Sequence, residues 1–252
     1  MRARLAILSS VLLACGPASS ANDAGPDTSC GLDCAAQAYY GLLVDRCFEY
    51  SDDAATPSDP PDLGAVVLPV FTLDGNVKVL PVEYRQGGMT VMRDSFGFKN
   101  GELYLMRREF SRGGQSVTYR DEAKVITGVK WLSGAPQVGE TSTTPTQALV
   151  VNQAGAGDPM GATYRVTIAE PSNGELKTPL QTYPTAFKLL FSESPADNGS
   201  DSRRIFVPNV GFTLVASAFS LSPLPATPMM LQRVRDIGTP DGGTTPCSLG
   251  SP

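Results

Sequence analysis

Histidine is absent from all 252 residues, and that absence excludes a large share of catalytic chemistry. Without imidazole there is no Ser-His-Asp or Cys-His nucleophile system, no imidazole general acid–base catalysis and none of the usual zinc ligand sets. Any catalysis would fall to carboxylates, lysine or tyrosine. Basic charge is also in short supply, with 20 Lys and Arg against 25 Asp and Glu for a formal −5. An acidic balance spread along the chain argues against nucleic-acid partners and against peripheral attachment to anionic lipid. The apolar run Leu5–Ala14 covers about ten residues, well short of the roughly 20 that a membrane-crossing helix needs. Phosphate loops, G-x-S-x-G elbows, EF-hand loops and C-x-x-C pairs are missing too. The expectation is a protein that is not an enzyme and that carries no cofactor or metal.

The N-terminus holds the strongest positive signal. Arg2 and Arg4 precede the run Leu5–Ala14, and Cys15 follows a small residue, the layout of a secretory signal that is cleaved. Leu12-Leu13-Ala14-Cys15 resembles the bacterial lipobox. That resemblance implies that residues 1–14 are removed and that Cys15 becomes the first mature residue, carrying a diacyl thioether and an amide-linked chain. Two or more acyl chains give stable anchoring, so the resemblance implies a membrane partner reached through lipid and a place in the cell envelope. Gly16 rather than Asp follows the cysteine, which in the sorting rule of enteric bacteria favours the outer membrane. Residues 15–29 read as a flexible tether of small and polar residues broken by proline, with a root-mean-square reach of about 20 Å.

Four cysteines remain: Cys30, Cys34, Cys47 and Cys247. In an exported chain an even remainder reads as disulfides, and four cysteines allow three connectivities that sequence does not separate. Cys34–Cys47 with Cys30–Cys247 is the working expectation, because it would tie the C-terminal tail to the N-terminal segment.

Residues 30–62 read as a cysteine-containing segment and an acidic, proline-rich linker. Asp33 can cap a short helix over Cys34–Tyr40, which Gly41 interrupts. Leu42–Val44 and Cys47–Tyr50 follow as strand candidates, and Tyr39, Tyr40, Phe48 and Tyr50 form an aromatic cluster suited to packing. From Leu63 to Asp236 the signals are β. Asp74-Gly75 and Asn100-Gly101 punctuate apolar runs as two-residue hairpin turns of type I′. Gly113-Gly114 turns the chain again before Gln115–Arg120, and Ala123, Val125, Val129 and Trp131 continue the alternation. Gly134–Pro145 and Ala154–Gly161 read as loops. Further strands are expected at Ala162–Ala169, around Phe187–Phe191, and at Arg203–Val207, Phe212–Leu221 and Met229–Val234. Period-two patterning with one wet face predicts antiparallel pairing. The fold class is therefore mainly β: one antiparallel meander over 63–236 forming a half-barrel, barrel or sandwich, with a short N-terminal helix and a tail at 237–252.

A long-stranded meander behind a lipobox resembles the half-barrel lipoprotein carriers and receptors of the outer membrane. The turn Pro208-Asn209-Val210-Gly211-Phe212 is similar to turns in uncharacterised bacterial β lipoproteins. The chain departs from the carrier pattern in lacking long helices to plug a concave face. Three readings follow. The first is a tethered binding or structural module with an envelope protein partner. The second is a carrier of an apolar ligand on a face formed by Phe96, Phe98, Tyr104, Met106 and Trp131. The third is a hydrolase using two of Asp94, Glu102, Glu109 and Glu122. Cross-strand ion pairing on a wet face is the simpler fate for those carboxylates. Arg203-Arg204 reads as a strand edge guarded by charge. A filled interior would favour the first reading, and an empty apolar one the second.

Overall fold

Asn100 and Gly101 adopt left-handed backbone conformations, with φ of 53° and 75°, and directly join Lys99 to its cross-strand partner Glu102. This is the two-residue hairpin turn that their residue types demand. A computed structural model describes residues 32–52, 60–111, 113–152, 154–171, 176–194, 202–217 and 229–236. Its first element is a helix, α1 (Cys34–Tyr39), whose Asp33 side chain accepts a hydrogen bond from the Ala36 backbone N–H at 2.9 Å, as expected of the cap. The strands that follow are β1 (Arg46–Ser51), β2 (Leu63–Val67), β3 (Phe71–Leu73), β4 (Val77–Gln86), β5 (Met89–Lys99), β6 (Glu102–Phe110), β7 (Gln115–Arg120) and β8 (Val129–Leu132). After them come β9 (Thr141–Asn152), β10 (Gly155–Ala156), β11 (Met160–Ala169), β12 (Leu176–Lys177), β13 (Thr182–Tyr183), β14 (Phe187–Ser194), β15 (Ser202–Val207), β16 (Gly211–Ser217) and β17 (Met229–Asp236).

All of these strands except β12 and β13, which pair only with each other, join one antiparallel sheet, and twelve of them close into a barrel. Around the wall the order is β9, β11, β14, β15, β16, β17, β1, β2, β4, β5, β6 and β7, and β7 pairs with β9 to shut it. The strand of the N-terminal segment, β1, is part of this wall and sits between β17 and β2. Between β6 and β9 the wall is built from two short pieces. The Arg107–Phe110 half of β6 pairs with β7, while its Leu103–Leu105 half pairs with β8. The connection 121–128 leaves the wall between those pieces.

Leu42–Val44 is not strand, since the first strand starts only at Arg46, and the expected loop Ala154–Gly161 carries β10 and the first residues of β11. Three further elements differ. Asp74-Gly75 joins β3 to β4 through three residues, not two, because Asn76 also turns left-handed and Leu73 faces Val77. The run from Ala123 to Val125 is a loop, not strand. Asp121 N–H donates to the Val125 carbonyl there and Val125 N–H donates to the Asp121 carboxylate, both at 2.9 Å, and the Val125 side chain is exposed. The expected loop up to Pro145 is strand from Thr141 on, since β9 pairs with β11 from the Thr141–Thr167 register onward. The expected tail at 237–252 lies outside the described residues, as does the end of the expected strand after Ser217.

Strand alternation sends Leu80, Val82 and Tyr84 of β4, Tyr164, Val166 and Ile168 of β11, and Leu189 and Phe191 of β14 into one continuous core. Trp131 lies at its centre, 4.5 Å from Phe191, 5.0 Å from Phe96 and 5.8 Å from Phe212 between ring centroids. Aromatic pairs at such separations add about 0.5–1.5 kcal/mol each beyond the area they bury. One end of the barrel is stopped by α1. Tyr40 is fully buried, stacks on Phe98 and packs on Phe206, and its hydroxyl lies 2.8 and 2.9 Å from the carbonyls of Gly101 and Ser133. Asn209 N–H donates to the Tyr39 carbonyl at 2.7 Å, joining the β15–β16 turn to the same helix.

Candidate functional site

The most unusual chemistry in the described residues lies inside the wall. Asp94 on β5 and Arg108 on β6 are direct cross-strand neighbours, and both point inward at mid-barrel. Arg108 donates from Nε and Nη2 to the two carboxylate oxygens at 2.6 and 2.9 Å. Arg204 on β15 approaches the same carboxylate from across the barrel, with Nη2 3.6 Å from Oδ2. Its guanidinium carbon lies 5.3 Å from the Tyr84 ring centroid and 5.9 Å from that of Trp131, and Arg108 also faces Trp131 at 5.7 Å. Burial alone would lower the Arg108 pKa, but the Asp94 carboxylate overrides it and raises the group above its ordinary value. Burial pushes the Tyr84 phenol up to about 12, with Arg204 pulling the other way.

The wet side of the same strands carries a different network. Glu83, Arg85 and Arg93 are paired, and Arg93 and Arg107 both approach Glu109. Burial would raise the Glu83 pKa, but hydrogen bonds from Arg93 and Arg85 hold it below the usual carboxylate range. Glu102 accepts from Lys130 and Tyr104, and the Lys130 hydrogen bond lowers its pKa. Of the four candidate hydrolytic carboxylates, Asp94, Glu102 and Glu109 are thus held by cations. Asp94 is inside the barrel and the other two are outside. Glu122 lies apart, on the 121–128 loop.

The five residues expected to form one apolar face are divided by the wall. Phe96 and Trp131 meet in the core and Phe98 packs against it under Tyr40. Tyr104 and Met106 join a smaller cluster with Leu73, Val79 and Ile126. Met106 sits at the β5–β6 register shift between Ser95 and Phe96, which sends its side chain out of the Phe96 side. Arg204 departs furthest from expectation. It guards no edge, because β15 is hydrogen-bonded on both sides, and its side chain is fully buried. The available clue was alternation: Arg204 shares its strand face with Phe206. Cys15, Cys30 and Cys247 lie outside the described residues. Cys34 opens α1 and Cys47 is fully buried in β1.

A surface groove of about 790 Å³ lies where the wall divides between β7 and β8. The 121–123 turn forms one side, and Pro145–Gln147 of β9 with Gly161–Thr163 of β11 form the other. Its polar lining includes Asp121, Glu122, Gln147 and Thr163. Thr146 Oγ1 donates to the Arg120 carbonyl at 2.9 Å and fixes the turn to the wall. Among the described residues no group of three metal-ligating side chains forms, and no helix is long and apolar enough to cross a membrane. Comparison with models of known families, with characterised proteins and with solved structures returns no match.

Proposed function

We propose that this chain is a lipid-anchored binding or structural module of the bacterial envelope, acting through the outside of its barrel and not by carrying an apolar ligand within it. The observation that carries this reading is the filled interior. Trp131, Phe96, Phe191, Phe206 and Phe212 interlock where an apolar ligand would sit, and α1 stops one end. The outward charges support attachment by lipid and not by the wall. Arg93, Arg107, Arg165 and Lys188 lie within strands on the face away from the core, and a cation on the lipid face of a membrane barrel costs about 2–4 kcal/mol at mid-bilayer. The groove at Asp121, Glu122 and Gln147 is the contact surface this reading assigns to an envelope partner. Disulfides among Cys30, Cys34, Cys47 and Cys247 belong to the same reading, as expected in an oxidising compartment.

The test is metabolic labelling with palmitate in a bacterial host, followed by fractionation. The native chain should take up label and sediment with membranes, and Cys15→Ser should do neither. Label retained by Cys15→Ser, or an unlabelled native chain, would refute the anchor.

A further inference from the structure

The hydrogen-bond inventory around Arg204 is unbalanced, and the imbalance has a sign. Both Asp94 oxygens are already engaged by Arg108, and the 3.6 Å approach of Arg204 Nη2 to Oδ2 is an ion pair longer than a hydrogen bond. All three nitrogens of Arg204 are buried without an acceptor among the described residues, as is the nearby Trp131 Nε1. The Tyr50 hydroxyl, also in this core, is spent on the Phe212 carbonyl at 2.8 Å. A guanidinium carries five N–H donors, accepts nothing and cannot be deprotonated in a protein. Two such cations share one carboxylate here, so among the described residues this cluster holds one positive charge in excess. The Tyr84 and Trp131 rings offset part of it. An uncompensated buried charge is still strongly destabilising.

We propose that the barrel interior binds a small monovalent inorganic anion beside Arg204, with the Arg204 guanidinium and the Trp131 indole N–H as its donors. A ligand that accepts hydrogen bonds and donates none matches an environment with surplus donors. Its charge balances the second arginine, which a water molecule cannot do. An interior filled by aromatic rings favours the smallest such anions, a halide or nitrate. The inference rests on the Arg204 environment and is independent of the envelope reading.

Trp131 is the sole tryptophan, so it reports on its own site. Iodide titrated into the folded protein, at constant ionic strength against gluconate, should quench its fluorescence along a saturating curve, and chloride should compete. Bromide-soaked crystals should show an anomalous peak between Arg204 and Trp131. Arg204→Met should lose both signals, and Arg204→Lys should keep a weakened saturating quench. Quenching that is absent or linear in iodide, together with no anomalous peak inside the barrel of the native protein, would overturn the proposal whether or not the variants fold.

Discussion

Asp94 is the residue on which the interior depends most, because it is the carboxylate that holds two guanidiniums from opposite walls. Replacing one partner of a buried ion pair leaves the other uncompensated, at a cost of about 3–5 kcal/mol. Asp94→Asn, similar in size but neutral, is therefore expected to lower stability by that amount in urea unfolding, and a loss within error of zero would contradict the network. A second expectation concerns alkaline pH. Burial raises the Tyr84 pKa in the folded chain to about 12, against about 10 when unfolded. A raised folded value contributes stability that is complete below the unfolded value and is lost as pH climbs through the folded one. The protein should thus lose stability between about pH 10 and 12, with a late step of tyrosinate absorbance coinciding with loss of the β circular-dichroism signal. Tyrosines that all ionised near 10 with the fold intact would argue against their burial.

At the scale of elements, the short helix does more than its length suggests. Gly41 leaves α1 with φ of +68°, and a Cβ there would meet the Val210 carbonyl oxygen at 2.2 Å. Gly41→Ala should therefore push α1 off the β15–β16 turn and cost more than the roughly 1 kcal/mol typical of a point substitution. Asp33→Ala removes only the cap and should cost about 0.5–2 kcal/mol; thermal unfolding separates the two. The helix and its cap were legible because Asp33 followed by Cys-Ala-Ala-Gln-Ala is a local signal. So was the Asn100-Gly101 turn. The 121–128 excursion was not, since Ala123, Val125, Val129 and Trp131 keep strand alternation through a loop. The end of that pattern is set by the local Asp121–Val125 hydrogen bonds together with β8 taking over from β7 along β6, which is a tertiary event. Arg204 was misassigned for a related reason: charge on a strand reads as solvent-facing until an interior carboxylate is known to meet it.

For the whole molecule, the residues announced an antiparallel β body but not its closure. That depends on β7 meeting β9 across an intervening strand and a long connection, a pairing with no local signature. Closure also divides the apolar residues that looked continuous in sequence, with Phe96 and Trp131 inside and Tyr104 and Met106 outside. The central claim is that this barrel is full and meets its partners from without. Native mass spectrometry of the protein, gently extracted from envelopes, tests it most directly. The account predicts the polypeptide with its covalent acyl chains and no additional lipid-sized mass. A stoichiometric apolar ligand that survives extraction and is released on unfolding would contradict it.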